Sequence, residues 1–415
     1  MDVLATRCAG LDVHRTVIVA CALVGEAGRR VEKLRGEFTT TARGLVALAA
    51  WLTQHGITAV GMEATGVYWM PVYAALEGRG FDITVANAQH IKAVPGRKTD
   101  VKDAEWLASL VRHGLLRKSF VPDHPFRVLR DLTRYRRTLV ESQASERRRL
   151  IKLLDSADVT LSGVVSDVFG LSGRAMLRAM IAGEADAAVL AELARGTLRK
   201  KREALREALA APLKDHQRKM LGMQLGRVEA AEADIARLDV EIQAHLQPYD
   251  AHVQRLTAVP GIDRVVAATV IAEIGIDVSS FPSAAHLAAW AGTCPGSRES
   301  AGKRQPTGAR KGNPYLKTAL CNAAIGAART KGSSFKAKYH RLKSRIGGGK
   351  AALAIAHKLL VCIFHMFAKG ETYRELGADY LDKLDVKRSA DRLVRRLEGL
   401  GFSVTVQPSS APAPL

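Results

Sequence analysis

CAGLDVHRTVIVACALVGEAGRRVEKLRGEFT, residues 8–39, decides the fold of the N-terminal third. Three β-rich runs, CAGLDVH, TVIVACALV and VEKLRGEFT, are separated by Gly-containing turns such as Gly25-Glu26-Ala27-Gly28, which predicts a three-strand meander. Working outward, ARGLVALAAWLTQHG (42–56) carries helical periodicity and ITAVGMEA (57–64) reads as a buried strand. A helix over about 67–76, the strand FDITVANA (81–88) and a third helix from about 100 to 115 follow. Strand, strand, strand, helix, strand, helix, strand, helix is the element order of an RNase H-like α/β domain, expected over 1–120.

Beyond the prolines at 122 and 125 the alternation stops and the pattern becomes helical. One long helix is expected over 212–248. Its apolar positions Leu221, Leu225, Val228, Ile235, Leu238 and Ile242 alternate three and four apart, the repeat of a coiled-coil seam or of a core stripe in a helical bundle. A basic helical and coiled-coil linker over 121–250 therefore precedes a mainly α-helical domain over 251–370 and an extension over 371–415. The last residues of that extension, rich in Pro, Ser and Ala, are expected to be disordered. Within LTAVPGIDRVVAATVIAEIG (256–275), Pro260-Gly261-Ile262 suggests a helix-hairpin-helix turn that offers N–H groups to phosphate, with Asp263 where such turns usually have a second glycine. A packed helical hairpin is the alternative.

Charge narrows the partners. The 415 residues contain 62 Lys and Arg against 41 Asp and Glu, a net charge of +21, and the balance favours a polyanion such as nucleic acid. Residues 300–370 contain no Asp or Glu, while thirteen Lys or Arg fall between 303 and 350. A second basic zone covers 127–152, in which Arg127, Arg130, Arg134 and Arg137 make one helical stripe. Both zones are expected to meet phosphates. Five dispersed cysteines without a CxxC pair argue against a zinc site or disulfide framework and fit reduced thiols. The N-terminus has no secretory pattern, and the apolar stretch 351–368 carries His357, Lys358 and His365. A cytoplasmic protein with no membrane partner is expected.

Four carboxylates fit a metal site. Asp12 lies in the first strand, Glu63 ends the fourth, and Asp100 and Asp103 open the third helix one turn apart. Neighbouring first and fourth strands with that helix across them would bring all four to one patch. Such a patch calls for cations, and two Mg²⁺ ions would neutralise it and clamp the attacking and leaving oxygens of a phosphodiester. In the Gly-, Ser- and Pro-rich stretch 289–324, Ser300 is flanked by Arg298, Lys303, Arg304, Arg310 and Lys311, a field that would stabilise an alkoxide or a pentacoordinate phosphate. Ser297 competes on the same grounds.

Taken in order, LDVHR, MEATGVYW, KTDVKDAEWLA, the PGI turn and CPGSRESAGKR followed by KGNPYLKTAL resemble the bacterial insertion-sequence transposases of the IS110 family, over about residues 5–370. The resemblance implies a RuvC-like domain whose DEDD set falls on Asp12, Glu63, Asp100 and Asp103, a coiled-coil linker, and a transposase domain whose nucleophile falls on Ser300. This chain has Ala301 before Gly302, where many relatives have glycine directly after the serine. The resemblance further implies a homo-oligomer, dimer or tetramer, that recombines donor and target DNA through a phosphoserine, guided by a structured bridge RNA. Two other readings use the same residues. One is a junction-type endonuclease with water as nucleophile, and the other is a non-catalytic nucleic-acid-binding protein on the same scaffold.

Overall fold

A computed structural model describes residues 2–88, 91, 103–296, 299–300, 303–304, 308–384 and 386–407, with backbone alone at 299–300, 303–304, 388, 389 and 392. Asp100, Ser297 and Arg298 lie outside the described residues. The chain divides into two compact units, Met1–Val121 and Pro122–Leu415.

The first unit is a mixed α/β sheet with helices. Strands β1 (Arg7–Val13), β2 (Val17–Val24) and β3 (Glu32–Thr39) form the antiparallel meander. After helix α1 (Ala42–Gln54), strand β4 (Ala59–Glu63) returns parallel to β1, and after helix α2 (Trp69–Leu76), strand β5 (Asp82–Ala86) pairs parallel to β4. The sheet order is β3-β2-β1-β4-β5. Alternation along β1 and β4 sorts side chains by face. Ala9, Leu11, Val60 and Met62 enter one apolar core with Leu48 and Leu52 of α1 and Val72 and Leu76 of α2.

Helix α3 (Asp103–Arg112) covers the opposite face. Two strand glycines admit it. A Cβ on Gly10 would lie 2.2 Å from the carbonyl oxygen of Ala104, and one on Gly61 would lie 2.3 Å from Val111. Glycine at both positions therefore seats the helix directly on β1 and β4. The far end of α3 is pinned by Arg112, only 4% exposed, whose guanidinium donates to the carbonyl of Gly25 at 2.8 Å.

The second unit is mostly helical. Helix α4 (His124–Asp155) begins just after Pro122, and the short helices α5 (Leu161–Val164), α6 (Leu171–Ala182), α7 (Ala187–Glu192) and α8 (Arg202–Ala208) lead to α9 (Asp215–Leu246). Helices α4 and α9 run antiparallel, as the pairs Arg136–Asp239 and Arg147–Glu232 establish. Leu221, Leu225 and Val228 of the expected seam are buried in one cluster with Leu150 and Leu154 of α4, while Ile235 and Leu238 are half-buried. The bundle alternative thus accounts for these positions, because the chain's own α4 covers them.

Helix α10 (Asp250–Thr257) turns through Gly261 into α11 (Arg264–Ile274). Gly261 has φ +83°, and a Cβ there would lie 2.1 Å from the carbonyl oxygen of Ala323. The Asp263 carboxylate accepts the Val266 N–H at 2.8 Å and caps α11. The PGI turn thus packs its glycine against a neighbouring helix and carries a carboxylate at the helix start. Helix α12 (Ala284–Trp290), a hairpin of β6 (Glu299–Ser300) and β7 (Lys303–Arg304), α13 (Pro314–Ala327), α14 (Ser334–Ile346), α15 (Gly348–Lys369), α16 (Tyr380–Lys383) and α17 (Val386–Glu398) follow. Among the described residues, α15 alone is long and apolar enough to cross a bilayer. It packs against α12, α13 and α14 through Ala351, Ile355, Leu359 and Ile363, so it forms the core of this bundle.

Candidate functional site

Register places two of the expected carboxylates side by side. Leu11 of β1 pairs with Met62 of β4, and both side chains enter the α1/α2 core. Asp12 and Glu63, one residue further along each parallel strand, therefore share the other face, at the carboxyl ends of β1 and β4. Ala104 of α3 closes on Gly10, and the carbonyl of Arg112 accepts the Leu4 N–H at 2.9 Å, so α3 runs against β1 with its first residue at the same edge. That residue is Asp103. Asp12, Glu63 and Asp103 thus occupy one end of one face.

Their surroundings hold them in place. Asp12 lies 3.1 Å from Nε2 of the exposed His14. The Thr65 hydroxyl donates to Glu63 Oε1 at 2.7 Å, and the Ala64 N–H donates to the carbonyl of Ala86 at 2.8 Å, which fastens the end of β4 to β5. Glu105, two residues after Asp103, pairs with Lys33 and Arg35 of β3, the latter at 3.0 Å. Hydrogen bonding from Lys33 holds the Glu105 carboxyl below its usual range, so this acid is committed to anchoring the start of α3. Among the described residues, no three His, Cys, Asp or Glu side chains form a group able to hold one ion. The donors present at the edge are carboxylate oxygens, the set that Mg²⁺ takes.

Ser300 lies on a hairpin where the composition suggested a loop. Cys294 accepts the Arg310 N–H through its carbonyl at 3.2 Å, Gly296 donates to Gly308 at 2.9 Å, and Pro295 bridges Ala309. Above this base Glu299 pairs with Arg304 and Ser300 with Lys303 in antiparallel register. The base is clasped tightly, since a Cβ on Gly312 would lie 2.3 Å from the Gly292 nitrogen. Arg310 and Lys311 at the base are exposed, as expected of phosphate contacts.

Two arginines of the stripe on α4 have an internal partner. Glu273 of α11 is completely buried, and Arg130 and Arg134 turn inward to it at 3.1 and 2.8 Å. Burial pulls the Arg130 guanidinium down to about 10 against the pull of Glu273. Asn313 Nδ2 also donates to Glu273 at 2.6 Å, while its Oδ1 accepts the Tyr315 and Leu316 N–H groups and caps α13. These guanidiniums serve an internal ion pair. Arg137 donates to Glu141 and to the carbonyl of Pro314, and Arg127 to the carbonyl of Pro122. Glu273 was not anticipated from the sequence. An acid at the end of the apolar run VVAATVIAEI was its only signal.

Two family models match the chain, one described as "Transposase", of the DEDD IS110 type, over residues 9–158, and one as "Transposase IS116/IS110/IS902 family" over 253–340. A probable family 20 transposase of Pseudomonas aeruginosa is 28% identical over 323 residues, covering 76% of this chain and 85% of the relative. An IS110 insertion-element protein of 43.6 kDa from Streptomyces coelicolor is 32% identical over 147 residues, 33% of each chain. The first match contains the carboxylate edge and the second contains the Ser300 hairpin, so both pieces belong to a transposase. The chain is a member of the IS110 family of insertion-sequence transposases.

Proposed function

We propose that this transposase cuts and rejoins DNA through a phosphoserine on Ser300, with Mg²⁺ held by Asp12, Glu63, Asp103 and Asp100, on an RNase H-like, RuvC-like first unit. The observation that carries the reading is the arrival of Asp12, Glu63 and Asp103 at one end of one sheet face, from β1, β4 and the start of α3. The strand order, an antiparallel meander continued by two parallel strands, supports the RNase H-like assignment. Mg²⁺ when bound would supply Lewis-acid stabilisation of charge on the phosphoryl oxygens.

The chemistry of the chain itself runs in two transfers. The Ser300 hydroxyl attacks a DNA phosphorus, the Ser O–P bond forms as the P–O3′ bond breaks, and the serine proton passes to the leaving 3′-oxygen. A 3′-hydroxyl of another strand then attacks the phosphoserine, remakes the phosphodiester and returns the proton to Ser300. Each transfer exchanges one phosphoester for another, so no nucleotide hydrolysis is required. Arg310 and Lys311, with Arg298, Lys303 and Arg304, supply the cationic field for phosphate. A structured bridge RNA that pairs with donor and target DNA is the second polyanion in this reading, supported by the acid-free basic stretch 300–370. Exchange between two DNA partners calls for a homo-oligomer.

Purified protein, RNA transcribed from the DNA flanking its gene, Mg²⁺ and labelled element-end DNA, resolved on a denaturing gel, test the proposal. A covalent protein–DNA species is expected with the wild type and none with Ser300→Ala. Mg²⁺-dependent cleavage that survives Ser300→Ala would replace the serine with water.

A further inference from the structure

The turn that follows Glu63 exposes apolar side chains that have a core beside them. In Ala64-Thr65-Gly66-Val67-Tyr68-Trp69-Met70, Trp69 packs inward at 5.9 Å from Tyr73 and joins the α1/α2 core. Its neighbours do the reverse. Val67 is 64% exposed and Tyr68 and Met70 are each 40% exposed. The turn is ordered by its own hydrogen bonds. The Thr65 N–H donates to the Glu63 carbonyl at 2.9 Å, and the Met70 N–H donates to the Val67 carbonyl at 3.1 Å. Gly66 has φ +56°, the conformation that glycine accepts without strain, and a Cβ there would lie 3.7 Å from the Tyr68 ring. The Tyr68 ring thus lies beside Gly66 and is partly open to solvent.

We propose that Tyr68, with Val67 beside it, is a stacking platform for a DNA base next to the bond that is cut, and that it holds that base out of the helical stack. The proposal rests on the carboxylate edge being where the phosphodiester is handled. The ligand class follows from the composition of the turn. A flat aromatic ring beside an aliphatic side chain, without a cation in residues 64–70, suits the face of a nucleobase better than a phosphate. Its position follows from the chain, because Glu63 and the turn are linked through Thr65, whose hydroxyl and N–H both bond to Glu63. Aromatic wedges that unstack a base step also bend the duplex, which exposes the backbone of that step.

Full-length protein carrying Ser300→Ala, the flanking-region RNA, Mg²⁺ and element-end duplexes with 2-aminopurine moved one position at a time test this. The cut is mapped separately with the wild type. A rise in 2-aminopurine fluorescence at a position adjoining the cut is expected with Tyr68, retained in Tyr68→Phe and lost in Tyr68→Ala, together with about tenfold weaker binding in Tyr68→Ala. Fluorescence that is unchanged by Tyr68→Ala, that rises at no position, or that Tyr68→Phe also abolishes would overturn the proposal. Because the readout comes from protein without Ser300, loss of the phosphoserine reading in the gel assay leaves this result interpretable.

Discussion

Glu273 shows how much one residue organises in the second unit. It is fully buried, and Arg130, Arg134 and Asn313 reach it from α4 and from the start of α13. Asn313 stands three residues beyond the exposed Arg310 at the base of the Ser300 hairpin. The acid therefore ties the long basic helix to the segment that presents the serine. Two guanidiniums depend on this carboxylate, and removing one partner of a buried pair costs more than the pair itself contributes. Glu273→Gln is expected to lower stability by about 3 to 5 kcal/mol, measured by denaturant unfolding with a fixed m-value. A loss below about 1 kcal/mol, the level of an exposed pair, would show that the arginines find other partners.

At the scale of elements, α3 and the sheet under it bring Asp12, Glu63 and Asp103 to one end of one face, and Gly10 makes the packing of α3 possible. Ala at this position places a methyl 2.2 Å from the Ala104 carbonyl oxygen, a clash that only movement of α3 relieves. Gly10→Ala is expected to destabilise by about 1 to 3 kcal/mol and to weaken Mg²⁺-dependent cleavage, as Asp103 shifts with its helix. A stable variant with full cleavage would detach the packing from the site. The meander, the neighbouring β1 and β4, and the positions of Asp12 and Glu63 were all legible, because strand alternation and strand ends are written in local sequence. The pairing of Arg130 and Arg134 with Glu273 was not legible in their spacing, for a physical reason. Spacing of three and four defines a helix face, but an arginine face pointing at phosphate and one pointing at Glu273, 139 residues away, have the same spacing. The seam of α9 was ambiguous likewise, since its covering helix α4 lies far off in the chain. The hairpin under Ser300 was hidden because strands of two residues are too short for any periodicity to register.

Over the whole molecule, the net charge of +21 has to be divided between cations that fold the protein and cations that face a partner. Arg130, Arg134, Arg136, Arg147 and Arg174 are engaged with Glu273, Asp239 and Glu232 inside the helical unit. In contrast, Arg310 and Lys311 are exposed in a stretch of seventy-one residues, 300–370, without an acid. Only cations that replace condensed counterions contribute to the salt dependence of DNA binding, each by about 0.9 in the slope of log K against log salt concentration. The double variant Arg310→Ala with Lys311→Ala is expected to flatten that slope by about 2, in anisotropy titrations of element-end duplex between about 50 and about 200 mM salt. Arg137→Ala, whose guanidinium is held by Glu141, the Pro314 carbonyl and the face of Tyr315, is expected to leave the slope near the wild-type value. A slope that responds to Arg137 and ignores the hairpin base would move the DNA path from the Ser300 segment to α4, and with it the phosphate that the serine is proposed to attack.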